Sequence, residues 1–393
     1  MRVALCTDGV YPQAMGGMQR HSRLLAEHLA RSGEVELTVL HPHAAPIFDK
    51  SLGIQEVPVP DIDKSKFYLR ELWRYSDRVG EKLDELKPDV ILSQGFCVWK
   101  GIERFGDRLI VHPHGLEMFQ MLTRKERLLG WPFRAALTYI VRRSAVVISL
   151  GGKLTGILQG LAAGSECRVV VVPNATEVPT GNRAEGQGER GKGQGVGGDL
   201  PQPTTTQPAT NNHQPLTLLF VGRFAFNKGL DVLMSVAERL VKEGKSDVVR
   251  FQLAGDGPLL AQYQRTGLPK NVELLGRVDD AQLDTLYREC DALILPTRFE
   301  GMPTVVLEAM ARAKPIIVSD VGASGELVSP HNGYLLPPGD ADQLYNAVTA
   351  FASRSPAVHV KMGAYSYERV KEVFSWPVVV KGFERLFSEV AKK

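Results

Sequence analysis

Short apolar runs alternate with longer segments of helical period through most of this chain. Leu216 to Val221 has the length and continuity of a central parallel strand, and Met1 to Thr7, Leu109 to Val111, Val169 to Val172 and Ala292 to Leu295 also read as strands. Helical spacing lies between them: Leu24, Leu25, His28 and Leu29 mark one helix and Leu230 to Leu240 a second. Val305 to Ala311 reads as a buried third, which Pro303 suits at the first helical position, where a missing N–H costs nothing. Strand, turn and helix in repetition predict an α/β fold. The pattern stops at Thr180 to Pro215, which is rich in Gly, Gln, Thr and Pro and nearly devoid of apolar residues. Such a segment cannot bury a core, so 180–215 is expected to be a flexible linker or inserted loop separating a first domain, 1–179, from a second that starts at 216.

Composition narrows the setting. A length of 393 residues accommodates two cores, with a charged fraction of 23% that is ordinary for a water-soluble protein. Cys6, Cys97, Cys167 and Cys290 are scattered with no C-x-x-C pair, so a reducing compartment is expected, with neither zinc nor disulfides. The N-terminus lacks a charged region followed by an apolar stretch, and no segment approaches about 18 uninterrupted apolar residues, so neither a signal peptide nor a membrane span is expected and the setting reads as cytoplasmic. Without secretion, the sequon Asn174-Ala175-Thr176 is a chance match. A net charge of +3 and the lack of a long basic run argue against a nucleic-acid role.

The candidate chemistry gathers at the predicted strand ends. Glu300 and Glu308 straddle a helix start, with Gly301, Met302 and Pro303 between them. Gly301 lets backbone approach a ligand, and free amides at the helix start favour an anion, while a carboxylate beside an anion grips hydroxyls. After Leu216 to Val221 come Gly222-Arg223 and Lys228-Gly229. In open α/β sheets ligands sit beyond the carboxyl ends of strands, and a fork from Arg with a mobile charge from Lys suits a diphosphate. A phosphate, a sugar and a second set of hydroxyls, as in a nucleotide sugar, would use all of these features. Near the N-terminus, Gly16-Gly17 lies before a helix and lacks the three-glycine dinucleotide fingerprint, which weakens a dehydrogenase reading. His112-Pro113-His114-Gly115 follows a strand, where a lone histidine is more often structural than catalytic.

The ordered set Gly222-Arg223, Lys228-Gly229, Gly255-Asp256-Gly257-Pro258, Ala292 to Pro296, Glu300 to Glu308, Asn332-Gly333-Tyr334-Leu335 and Pro338-Gly339-Asp340 resembles the retaining glycosyltransferases of family 4, the group 1 glycosyl transferases. The resemblance covers most of Leu216 to Leu344 and continues, less densely, through Gly16-Gly17, His114 and the Pro173-Asn174-Ala175 turn, where Ala175 replaces the family's usual glycine. A second departure is Gly322-Ala323, where the family often has paired glycines. The resemblance implies the GT-B fold: two Rossmann-like domains around a cleft, a nucleotide-sugar domain at 216–374, and a last segment, 375–393, that crosses back to the first domain. Phe374-Ser375-Trp376-Pro377, with Val378, Phe383, Leu386 and Phe387, suits that return.

The resemblance further implies transfer of a sugar from a UDP- or GDP-linked donor to an acceptor hydroxyl with retention. In that scheme Arg223 and Lys228, helped by Gly16 and Gly17, hold the departing diphosphate. Glu300 takes sugar hydroxyls, with Gly301, Met302 and Pro303 shaping the pocket, and Glu308 takes ribose hydroxyls. His114, with His112 as second choice, contacts the sugar, and Arg277 and Val278 border the base. A leaving phosphate oxygen takes the acceptor proton in this family, so no protein base, metal or other cofactor is expected. Asp61-Ile62-Asp63 matches the short D-x-D metal pattern but reads as a turn, and Gly151-Gly152-Lys153-Leu154 lacks the spacing and hydroxyl of a phosphate-binding Walker loop. A nucleotide-sugar 2-epimerase and a binding protein without turnover are the alternatives.

Between Met118 and Arg143, Arg124, Lys125, Arg127, Arg134, Arg142 and Arg143 face only Glu126 and are interleaved with Phe119, Met121, Leu122, Leu128, Leu129, Trp131, Phe133 and Tyr139. One reading is contact with an anionic membrane surface, which would suggest a lipid-linked or surface-polysaccharide acceptor. The other is a helix whose apolar face packs on the sheet. A soluble sugar or metabolite is the second acceptor class.

Overall fold

The computed structural model describes residues 1–59, 62, 68–121, 123–179 and 214–392. The expected linker at 180–215, apart from its last two residues, lies outside them, as do Asp61, Asp63 and Leu122. Seven strands form the first sheet: β1 (Arg2–Cys6), β2 (Glu36–His41), β3 (Gln55–Pro58), β4 (Val90–Gln94), β5 (Leu109–His112), β6 (Val146–Ser149) and β7 (Arg168–Val171). Six more form the second: β8 (Leu216–Val221), β9 (Val249–Ala254), β10 (Val272–Gly276), β11 (Ala292–Leu295), β12 (Ile316–Ser319) and β13 (Gly333–Leu336).

Their spatial orders are β3-β2-β1-β4-β5-β6-β7 and β10-β9-β8-β11-β12-β13, with the pairings β1–β2, β1–β4, β8–β9 and β8–β11 all parallel. Central strands of such sheets are covered on both faces, which is why β4, β6 and β11 are buried throughout. Each order reverses once, between β1 and β4 and between β8 and β11. The crevices beyond the carboxyl ends of those strands are where a ligand fits this architecture. Gly16-Gly17, Arg223 to Lys228 and Glu300 all lie in segments leaving β1, β8 and β11.

The last helix, Trp376–Ala391, belongs to the first core. Trp376, Val379, Phe383, Leu386, Phe387 and Val390 pack in one cluster with Val3, Leu5, Leu25 and Leu29. The chain reaches that position by pairing Thr176 with Ser375, where the Thr176 amide donates to the Phe374 carbonyl at 2.9 Å. All four cysteines are free and buried, Cys6 within β1. No helix among the described residues is long and apolar enough to cross a membrane.

Candidate functional site

Gly16 adopts φ 154° and is the cap of the helix Gly17–Ser32. No atom outside the local chain lies within 4 Å of where a Gly17 side chain would begin, so this helix start is open to a ligand. Gly17 and Arg20 of this helix share the lining of a cavity of about 170 Å³ with Asp280, Tyr287 and Glu308 from the second half of the chain. Arg20 also bridges to Asp280 at 3.2 Å, joining the first helix to the second half of the chain.

Glu308 lies on the helix Thr304–Met310, just over a turn in. Pro303 is not the first helical residue, as its position suggested, but the cap, with ψ 114°. Its carbonyl still accepts from the Val306 amide at 3.1 Å, while its extended backbone follows Met302, whose carbonyl is held at 2.8 Å by the Asn174 side chain. Burial raises the Glu308 carboxyl above the usual carboxylate range, and the Arg20 charge, the Tyr287 hydroxyl and Arg312 pull it partly back. The Tyr287 hydroxyl donates to it at 2.9 Å.

Arg223 is exposed just beyond β8, and Lys228 ends the short turn Phe226–Lys228. The Lys228 ammonium is paired with the Glu300 carboxylate. Two groups assigned from sequence to different parts of a ligand therefore touch each other. An ammonium has three donors and a carboxylate several acceptor sites, so the pair can orient both groups and still bind a third. Arg277 is exposed after β10 and reaches the Met15 sulfur across the cleft at 3.9 Å, while Val278 packs on the core.

The Glu300–Met302 loop is fitted between both halves of the chain. A Cβ on Gly301 would meet the His114 carbonyl oxygen at 2.9 Å, and the Gln120 amide donates to the Glu300 carbonyl at 3.3 Å. From the other side, Gly322, at φ 53°, presses on the Glu300 and Gly301 carbonyls, and the Ala323 amide donates to Gly301 at 2.8 Å. The glycine this close approach requires is Gly322. Ala323 contributes its amide and a fully buried methyl, so this departure from the family pattern is accommodated.

His114 itself has φ 59° and bonds the Gln94 side-chain oxygen through Nε2. Its ring centroid is 3.9 Å from that of His112 and 5.0 Å from that of His21. Desolvation holds all three imidazoles neutral, with His21 lowered to about 4 and the other two well below their ordinary value.

Sequence reasoning gave no role to Arg20, His21, Gln94, Asn174 or Tyr287. Each acts through a contact with a residue distant in the chain, so no local spacing pointed to it. Lys153 is another: excluded as a Walker lysine, it ties the two halves together, bridging to Asp320 at 3.0 Å beside the Gly152 amide that donates to Glu326.

Two family models match the chain: Glycosyltransferase Family 4 over residues 15–178 and Glycosyl transferases group 1 over residues 215–354. An uncharacterized glycosyltransferase of Methanocaldococcus jannaschii is 30% identical over 44% of this chain and 48% of its own length. The O-antigen chain mannosyltransferase C of Escherichia coli is 27% identical over 43% of this chain and 46% of its own. The aligned regions thus span about half the length of these curated relatives. Among solved structures, sucrose-phosphate synthase of Thermosynechococcus elongatus superimposes with a TM-score of 0.76 at 18% identity, covering 99% of this chain and 98% of that one. Anabaena HepE in complex with UDP-glucose gives 0.68 at 17% identity, covering 99% and 100%.

Proposed function

Because the chain belongs to the group 1 glycosyl transferases of family 4 and has their GT-B architecture, we propose that it moves a sugar from a nucleoside diphosphate sugar to an acceptor hydroxyl with retention. The observation that carries this reading is that Glu308 lines one cavity with Gly17 at the open helix start, while the Lys228–Glu300 pair and Arg223 lie in the turns that leave β8 and β11, the strands flanking the switch point of the second sheet. A structural neighbour that holds UDP-glucose supports the choice of donor class.

Bond cleavage leaves negative charge on the departing diphosphate. Arg223, Lys228 and the amides after Gly16 supply fixed positive counterparts, and removing one such donor costs on the order of 100-fold in rate. Lys228 keeps Glu300 oriented while adding a bond to phosphate, so the sugar hydroxyls and the leaving group are held as one unit. Glu308, backed by Tyr287, accepts from ribose hydroxyls. A leaving phosphate oxygen takes the acceptor proton, His114 contacts the sugar, and Arg277 and Val278 flank the base. Transfer in this scheme needs no metal.

The acceptor is proposed to be a lipid-linked or surface-polysaccharide precursor, met at the cytoplasmic face of a membrane. Supporting this, the helix Arg124–Leu129 and the start of the next present Leu128, Leu129 and Trp131, which are 76%, 67% and 63% exposed, beside exposed Arg124, Lys125 and Arg127. The following turns bury Leu137, Ile140 and Val141. The segment thus divides between the two uses read from its sequence: its end packs on the sheet and its crest stays outside. Each basic residue contributes about 1 kcal/mol at an anionic surface. Co-sedimentation with phosphatidylglycerol vesicles but not phosphatidylcholine vesicles, lost in Leu128→Asp/Trp131→Asp, is expected; equal behaviour towards both vesicles would refute this assignment.

The donor reading is tested by calorimetric titration of UDP and GDP sugars in chelator, against wild type and Glu308→Ala. One donor binding at micromolar concentration to the wild type alone is expected, followed by release of a glycosylated product when acceptor is added. No donor binding to the folded wild type would overturn it.

A further inference from the structure

Below the sugar-facing part of the cleft, three imidazoles meet. His21 comes from the first helix, His112 ends β5, and His114 lies two residues beyond. One nitrogen from each lies within 4.8 Å of the others. His21 and His112 are only 4% and 1% exposed, and His21 Nε2 and both ring nitrogens of His112 lack any hydrogen-bond partner. Trp376 and Phe383 lie against His21, and Phe383 also approaches His112. Buried polar atoms are nearly always paired; a neutral ring keeps one N–H and one lone pair, so His21 and His112 each leave a nitrogen that a lone-pair-binding ligand would satisfy.

We propose that His21, His112 and His114 form a site for a borderline divalent metal ion, foremost zinc, whose binding withdraws His114 from the transferred sugar. The chemistry of the donors selects the ion. Three imidazoles with no carboxylate suit zinc, copper or nickel and disfavour magnesium, calcium and manganese. Burial keeps the rings neutral, which is the ligating form. Gln94 accepts from His114 Nε2, leaving the lone pair on Nδ1, and metal-bound imidazoles are commonly held by such an outer carbonyl. With all three nitrogens at the 4.8 Å limit, a central ion would stand about 2.8 Å from each; Zn–N bonds of about 2.0–2.1 Å then need each ring to move in by about 0.7 Å. Three protein ligands leave one position for water. Such a metal takes no part in diphosphate departure and acts as an inhibitor.

The test uses the full chain, stripped of metal. Calorimetric titration with Zn²⁺ is expected to show one equivalent, weakened at least about 100-fold in His21→Gln and His112→Gln and unchanged in His28→Gln, which lies on the same helix and stacks on Trp376. No stoichiometric binding, or folded His21→Gln and His112→Gln variants that bind like wild type, would overturn the site. Should those variants fail to fold, X-ray absorption of the zinc-loaded wild type decides: three imidazole nitrogens are expected, and a carboxylate or cysteine shell refutes the assignment. Competition for His114 rests on the donor reading. Zinc is expected to weaken binding of the sugar-bearing donor without affecting the free nucleoside diphosphate; equal effects, or none, would overturn that half alone. Absence of donor binding without zinc would instead fault the functional reading.

Discussion

Gly322→Ala probes the proposed sugar pocket without removing any group assigned to the donor. Gly322 has φ 53°, a conformation that costs an L-residue about 1–2 kcal/mol. Its new methyl would fall well inside 3.0 Å of both the Glu300 and Gly301 carbonyl oxygens, a separation that real Cβ atoms essentially never show. Overpacking of this kind adds about 1–3 kcal/mol, so a total loss of about 2–5 kcal/mol in urea unfolding is expected. Relief by movement requires the Glu300–Gly301 loop to withdraw by roughly 1 Å, and a misplacement of that size costs about 100-fold in turnover. The loop cannot retreat freely, because Gly301 already abuts the His114 carbonyl. Donor calorimetry and initial transfer rates would be measured beside Ala323→Gly, which keeps the amide that bonds Gly301. Wild-type stability together with wild-type donor affinity in Gly322→Ala would refute the argument that this glycine sets the position of Glu300.

Two further outcomes follow from the geometry. Glu308→Gln is expected to weaken donor binding by about 10- to 100-fold, the worth of hydrogen bonds to a charged acceptor. Since burial raises the Glu308 carboxyl, wild-type affinity should fall with decreasing pH already above the ordinary carboxylate range, and this dependence should vanish in the variant. The sign for stability is opposite: the neutral carboxyl's contribution is complete below the unfolded value and lost as pH rises through the raised one, so Glu308→Gln should be more stable than wild type at neutral pH. A less stable variant, read by urea unfolding, would count against the burial argument. Phe387→Ala, at a fully buried position of the last helix, should cost about 3–5 kcal/mol in the same assay, and a loss under about 1 kcal/mol would mean that this helix is not part of the first domain's core.

What could be read from sequence and what could not differ in how far apart the partners lie. The placement of Gly222-Arg223, Lys228-Gly229 and Glu300 to Glu308 just beyond β8 and β11 was legible because a turn is built from consecutive residues, and the strand before it announces itself by continuous apolar character. The links that hold these turns are made between distant segments, because each parallel strand must be reached by a crossover. Lys228 and Glu300 are 72 positions apart, and the Asn174–Met302 bond spans 128. The same reasoning explains the two misplaced emphases. Pro303 reads as a helix opener because its ring fits that position, but with an extended ψ it stands one residue earlier, as the cap, next to Met302, whose carbonyl Asn174 holds from the first half of the chain. Gly322-Ala323 reads as an incomplete glycine pair, yet the Cβ position that the Glu300 and Gly301 carbonyls fill is that of Gly322, while Ala323 bonds Gly301 through its amide and carries its methyl into a buried place. The spacing of the turns therefore depends on contacts between distant segments: Asn174–Met302 and Lys153–Asp320 join the two sheets, and Gly322–Glu300 joins two neighbouring turns of the second. Substitution at those contacts should thus alter the proposed donor site even where none of the residues assigned to the donor is changed.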